Sequence, residues 1–265
     1  TMSDTVHYET DGAIATVTLN RPDRLNAMNK ELMAAMVDTL ERAASDENIR
    51  VLILTGTGRG FCAGGDLGGM ADGEFKEELP IEKRIADLRH SMRTSQRLRE
   101  SSFISIAAIN GACAGAGMSW ALACDLRYAA QSAKFSTAFL NAGLSGDFGG
   151  TFSLTQIVGT AKARGLYLLS DGVTAADAER LGIVSEAVPD EDLMAHVRGK
   201  AQQMADAAPI ALRCIKQNLN DATKLSMSEA MDNEADRHSR CGTTEDNTEA
   251  AKAFLEKRKP VFKGR

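Results

Sequence analysis

The chain has 265 residues, with 31 Lys and Arg against 36 Asp and Glu and a formal net charge of −5, which argues against a general nucleic-acid binder. Apolar residues make up 43% and aromatic residues only 5%, so small aliphatic side chains must fill much of the core of one large α/β domain or of a domain with an appendage. No apolar run approaches the ~18 residues of a membrane span. The five cysteines (Cys62, Cys113, Cys124, Cys214 and Cys241) are odd in number and include no C-x-x-C. Neither a disulfide framework nor a metal site is therefore expected, and a cytoplasmic setting is.

In chain order, Val6–Thr10, Asp11-Gly12 and Ala13–Leu19 predict a β-hairpin. Asn20–Arg24 is a breaker. The helix behind it carries Leu32, Met33, Met36, Val37, Leu40 and Ala44 on one face. Residues 50–55 predict a buried strand running into Phe61-Cys62-Ala63-Gly64-Gly65-Asp66-Leu67, followed by a polar, mobile loop over 68–80. Residues 81–100 predict a helix with Ile85, Leu88, Met92 and Leu98 inward. A second buried strand, 103–109, enters Asn110-Gly111-Ala112-Cys113-Ala114-Gly115-Ala116-Gly117. The helix after it is apolar nearly all round and is expected to be central. Leu126–Ala130 reads as a short strand, and the Gly-rich run 143–151 opens another helix. Beyond about residue 190 only helical patterns remain: 190–207, 209–224, 226–241 and 244–257. The division expected is a core over 1–200 and a helical oligomerisation region over 201–265.

Both glycine loops read as a strand entering a tight turn that opens a helix. The first turn of a helix leaves its N–H donors unpaired, so such loops aim bare backbone donors outward. Two of them side by side can hold one developing negative charge on oxygen.

The chain carries, in order, Leu19-Asn20-Arg21-Pro22 with Leu25-Asn26-Ala27-Met28, Gly56-Thr57-Gly58 before Phe61–Leu67, Ile109–Ala112 with the glycines behind it, Ala123-Cys124-Asp125, Gly149-Gly150-Thr151 and Ala253–Lys259. In this order and at this spacing they resemble the crotonase (enoyl-CoA hydratase/isomerase) superfamily. The resemblance spans nearly the whole chain. It implies an α/β fold, a spiral of ββα turns with a helical C-terminal trimerisation region, assembled as a homotrimer or a dimer of trimers. It implies an acyl-CoA thioester as ligand, and no cofactor or metal beyond the coenzyme A of the substrate. Gly65 and Ala116 would donate the two oxyanion N–H groups. The loop of Ala63, Gly64, Asp66 and Leu67 would run along the coenzyme A. Arg24, with Phe254 and Lys257 from the last helix of a neighbouring subunit, would complete its binding, and Phe139 would line the acyl site.

The hydratases resembled here carry two glutamates. On this alignment their positions hold Ser119 and Phe139, neither of which can serve as an acid–base group at neutral pH. One carboxylate remains, Asp147, where some members place a single catalytic acid; these include enoyl-CoA isomerases and the ring-opening isomerase of phenylacetate degradation. A single carboxylate can move one proton between C2 and C4 while the oxyanion hole holds the dienolate. A wall of Phe139, Phe148 and Leu144 is expected to raise its pKa. The reading favoured is therefore a double-bond isomerase. The alternatives are hydratase activity, Asp147 as nucleophile in a hydrolase or dehalogenase, and a non-catalytic acyl-CoA- or RNA-binding relative.

Blander roles stand beside these. Asp147 precedes a helix and could be its N-cap, and the glycines could be close-packing points. Asp66 and Asp125 read as local hydrogen-bonders, Cys62 and Cys113 as buried thiols and Trp120 as core. Arg24 could equally be a solvated charge, and Lys257 part of a helix-terminal charge cluster. Gly117-Met118-Ser119-Trp120-Ala121 narrowly misses a nucleophile elbow, but no histidine follows at a suggestive distance, so Ser119 reads as a packing residue.

Overall fold

The computed structural model describes residues 4–66, 68 and 79–265; Leu67 and most of the expected loop 68–80 lie outside them. The hairpin forms as predicted. Strand β1 (Val6–Asp11) runs antiparallel to β2 (Ile14–Leu19), with Asp11 opposite Ile14. Helix α1 (Lys30–Ser45) starts at Asn29, whose side chain accepts the Leu32 N–H at 2.9 Å, and buries Leu32, Met36, Leu40 and Ala43.

The spiral follows from a repeated pairing of one long strand with one short one. Strands β3 (Val51–Gly56), β5 (Ile104–Ile109) and β7 (Leu126–Ala130) lie in a large sheet. Each is followed by a short strand, β4 (Gly60–Cys62), β6 (Ala112–Ala114) or β8 (Lys134–Ser136), in a second sheet. The orders are β1-β2-β3-β5-β7-β10 and β4-β6-β8-β9, with β9 at Val173–Thr174 and β10 at Glu186–Val188. Apart from β1–β2 and β8–β9 all pairings are parallel.

Strands β3 and β5 are buried along their whole length, as parallel strands covered on both faces must be. Alternate residues take opposite sides. Leu52, Leu54, Ala107 and Ile109 face α1 and the central helix α4 (Gly115–Ala123), whose nine residues are all buried. Val51, Ile53, Ile106 and Ala108 face α7 (Leu193–Ala205) through Leu193, Val197 and Ala201. Residue 200, where the core was expected to end, falls inside α7.

The expected helix over 81–100 is two, α2 (Ile81–Ser91) and α3 (Arg93–Glu100), meeting at Met92. Leu98 is fully buried and Thr94 accepts the indole N–H of Trp120 at 2.8 Å, so α3 is held to the core. The inward placement of Ile85 and Leu88 is corrected: they are 60% and 44% exposed, because the apolar stripe of α2 has no partner face within the described chain.

Helix α5 (Gly150–Leu169) contains a break at Gly159 (φ +76°), and α6 (Ala175–Arg180) follows β9. The last three helices are α8 (Pro209–Asp221), α9 (Met227–Gly242) and α10 (Glu245–Leu255). Buried Lys216 fastens α8 to the core, pairing with Asp125 at 2.8 Å and donating to the carbonyls of Phe103 and Leu98. None of the helices is long and apolar enough to cross a membrane, among the described residues.

Candidate active site

The first glycine loop leaves β4 at Cys62. Met28 forms an isolated parallel bridge to Gly65: its N–H donates to the Gly64 carbonyl at 2.7 Å, and the Asp66 N–H donates to the Met28 carbonyl at 3.0 Å. These bonds use the residues on either side of Gly65, so the Gly65 N–H and C=O face away from Met28. Gly64 sits at φ +92°, a conformation that favours glycine, and the point where its Cβ would lie is 3.5 Å from the Ala116 nitrogen. Ala116 is the second residue of α4, where an N–H has no acceptor in its own helix. The two loops therefore touch at the backbone, with Gly65 and Ala116 on adjoining turns.

Three polar side chains hold this geometry. Asn26, fully buried, accepts the Arg21 N–H and donates to the carbonyls of Thr57 and Gly60. Asn110 donates to Gly58 and Gly60 and accepts the Gly56 N–H. Arg21 pairs with Asp66 at 2.8 Å and donates to the Ala27 carbonyl. Packing does the rest, since a Cβ on Gly117 would overlap the Cys62 carbonyl and side chain. Gly117→Ala is expected to lower stability by about 2–3 kcal/mol, because the clash is with backbone that cannot turn aside. A urea midpoint equal to that of the wild type contradicts this packing.

Asp147 lies on the third glycine run. Gly146, Phe148 and Gly149 all have positive φ (+113°, +49° and +72°), a concentration of unfavourable backbone that tends to mark functional sites. The N-cap of α5 is Gly149, without any side-chain cap, so Asp147 is not the capping residue. Its Oδ1 is buried and has no hydrogen-bond partner among the described residues. Burial raises its carboxyl from 3.8 to about 6. Of the expected apolar wall, Phe148 turns inward against Trp120 (ring centroids 5.7 Å apart) and Leu144 is 49% exposed. Phe139 is the one that reaches the site. Its ring lies 3.9 Å from the Cβ position of Gly146 and 4.0 Å from that of Gly115, so it spans the Asp147 loop and the start of α4.

The raised carboxyl has a consequence for stability. A native pKa above the unfolded value contributes stability that is intact below the unfolded pKa and lost as pH rises through the native one. Asp147→Asn, which does not ionise, is expected to gain on the wild type between about pH 4 and pH 7.5. The gain is of order 2 kcal/mol once partial exposure is allowed for. Paired melting curves at the two pH values check it, and an unchanged difference between the two proteins contradicts it.

The remaining candidates divide. Ala63 is half-buried, with its N–H given to the Leu25 carbonyl, and Asp66 is buried beside Arg21. Arg24 is exposed, with Nη1 3.4 Å from the Cβ position of Gly68, next to the first loop. Leu67 lies outside the described residues. Phe254 is 83% exposed and Lys257 is exposed just beyond α10, and among the described residues of one chain neither is brought to the other candidates. Ser119 is buried, its Oγ directed to the Gly115 carbonyl at 3.2 Å. Burial pushes the Cys62 thiol up to about 12 and Cys113 also well up, leaving both inert at neutral pH. Asp125 accepts from the Ser105 backbone N–H and hydroxyl. Sequence reasoning missed two residues: Arg21, which fixes the first loop, and Tyr167, which stacks on Phe139 (centroids 6.1 Å, interplanar angle 5°).

Comparison with known proteins names the fold. The profile of the enoyl-CoA hydratase/isomerase family matches residues 9–265. The chain belongs to this family. Among curated members, it is 37% identical over 261 residues to a probable enoyl-CoA hydratase of Rhodobacter capsulatus, covering 98% of each chain. It is 36% identical to the 1,2-epoxyphenylacetyl-CoA isomerase of Escherichia coli, covering 100% of each. Among solved structures, a putative enoyl-CoA hydratase from Streptomyces coelicolor superposes with a TM-score of 0.93 at 35% identity, covering 98% of this chain and 94% of the other. The protein is thus an acyl-CoA-processing enzyme of the enoyl-CoA hydratase/isomerase family. Hydratase names outnumber isomerase names among such relatives.

Proposed function

We propose that this family member is an enoyl-CoA double-bond isomerase working with a single acid–base group, Asp147. One observation carries the reading: among the described residues Asp147 is the carboxylate beside Phe139 and the start of α4, half-buried, unpaired with any cation and raised to about 6, while Asp66 is held by Arg21 and Ser119 and Phe139 supply no second acid. Adding water to a double bond needs one group to activate the water and a proton delivered to the adjacent carbon. A proton transfer from C2 to C4 needs only one group that takes the proton and gives it back. In this reading the thioester oxygen sits between the Gly65 and Ala116 N–H groups, which take up the negative charge of the dienolate. Coenzyme A binding along Ala63–Asp66 and Arg24, with Phe254 and Lys257 supplied by a neighbouring subunit of a homo-oligomer, anchors the reacting carbons next to Asp147. The substrate brings its own coenzyme A, and no step calls for a metal or other cofactor.

The epoxyphenylacetyl-CoA isomerase likeness supports the same class of chemistry on a ring substrate. The test is product analysis with two substrates. A 3-enoyl-CoA should be converted to the 2-enoyl isomer, and a 2-enoyl-CoA should give little or no 3-hydroxyacyl-CoA. Rapid hydration of the 2-enoyl substrate without isomerisation of the other overturns the reading. A covalent aspartyl ester trapped in a single turnover favours the nucleophilic alternative instead.

A further inference from the structure

Tyr167 lies far from the glycine loops in sequence but packs against the helix that follows the second one. The break in α5 at Gly159 lets the second half of the helix return beside its own start, so Tyr167 comes to rest against Gly150. A Cβ on Gly150 would collide with both the Tyr167 hydroxyl and Ser119 Oγ, so the two oxygens meet over a residue that has no side chain to part them. The ring is held in place. It stacks parallel on Phe139, and its Cε1 lies 3.5 Å from the Cβ position of Gly146. The adjoining Leu166 carbonyl accepts the Thr137 hydroxyl at 2.9 Å. Burial pushes the phenol up to about 12, so it remains a donor over the working pH range, and Ser119 is its hydrogen-bonding neighbour. Ser119 Oγ in turn donates to the Gly115 carbonyl.

That carbonyl belongs to the same peptide group as the Ala116 N–H. We propose that Tyr167 and Ser119 are positioning residues for the oxyanion hole, a hydroxyl relay that holds the Gly115–Ala116 peptide from behind and strengthens its N–H as a donor. A peptide whose oxygen accepts hydrogen bonds is polarised, and chains of such bonds reinforce one another. Fixing the carbonyl also fixes the plane in which the N–H lies, which is what preorganisation at a developing charge requires. The inference rests on the proposed function only for where the thioester oxygen sits.

The test uses the full chain as wild type, Tyr167→Phe, Ser119→Ala and the double variant. Two readouts are taken: the carbonyl stretching band of bound butyryl-CoA, labelled at the thioester carbonyl carbon, and kcat and KM on a 3-enoyl-CoA. Butyryl-CoA has no double bond to move, so its band reports the oxyanion hole whether or not the isomerase reading holds. In the wild type the band should shift to lower frequency than in free butyryl-CoA, and each single variant should lose part of that shift. Each should also lower kcat by about five- to tenfold with KM nearly unchanged, the loss of roughly one hydrogen bond. The double variant should be no worse than Ser119→Ala, because the relay runs through Ser119. The acidic limb of the pH–rate profile should not move in Tyr167→Phe. A wild-type band unshifted from free butyryl-CoA overturns the oxyanion assignment and the relay together. A shifted wild-type band that Tyr167→Phe leaves intact overturns the relay alone. So does a multiplicative double variant, or a Tyr167→Phe effect confined to the acidic limb, which would place its action on Asp147.

Discussion

Replacing Asp147 with Asn should lower kcat on a 3-enoyl-CoA by about 10²–10⁴-fold, the range for removing a positioned general base. The amide has nearly the same shape, so binding of acyl-CoA should stay within a few-fold of wild type. The loss falls on kcat because proton transfer, not thioester capture, is what the carboxylate supplies. The wild-type pH profile should carry the same signature. The base must be ionised to take the proton from C2, so the rate should rise with pH through the carboxyl's value of about 6 and level off above it. In Asp147→Asn that limb should be absent from any residual activity. Full turnover by the variant, or a limb near the ordinary carboxylate value, contradicts the assignment.

Ala116→Pro should cost about 10²–10³ in kcat, the usual price of one oxyanion donor. The change removes a single N–H. Ala116 is the second residue of α4, and the first helical turn accepts proline because its N–H groups have no helical acceptor to lose. Ala116→Gly serves as the control: it keeps the N–H, so it should keep most of the rate. A melting temperature for the proline variant close to that of the glycine control shows that the fold has survived. Under those conditions, equal rates for the two variants mean that the Ala116 N–H does not face the reacting oxygen.

The two donor loops were legible in the sequence because their chemistry is main-chain chemistry. Gly64, Gly115 and Gly117 stand where positive φ or close approach excludes a Cβ, and such positions leave a glycine pattern behind. The strands were legible for a similar reason, since β3 and β5 are buried on both faces and read as unbroken apolar runs. Asp147 stood out as the carboxylate of a Gly-rich run before a helix, but its capping role did not survive, because Gly149 already occupies the N-cap. Leu144 and Phe148 neighbour Asp147 in sequence, but Leu144 is exposed and the left-handed turn at Phe148 sends that ring inward against Trp120.

What the sequence hid lies in long-range returns of the chain. Tyr167 sits in Leu166-Tyr167-Leu168-Leu169, which reads as an ordinary apolar helical stretch; only the break at Gly159 carries it back to Gly150. Arg21 looked like part of a breaker, and its link to Asp66, 45 residues on, has no local signal. Ile85 and Leu88 followed the helical period faithfully, yet period shows only that a face is apolar, not that the same chain covers it.

The central claim is that one carboxylate moves a proton at carbons held beside a backbone oxyanion hole. Proton–deuterium exchange followed by NMR on a panel of CoA thioesters in heavy water tests it most directly, because it reports which carbon gives up its proton before any product accumulates. The expected result is exchange at C2 of 3-enoyl-CoA, and deuterium at C4 of the 2-enoyl product, in the wild type and not in Asp147→Asn. Exchange that persists undiminished in the variant, or water added at C3 with no label entering C4, contradicts it.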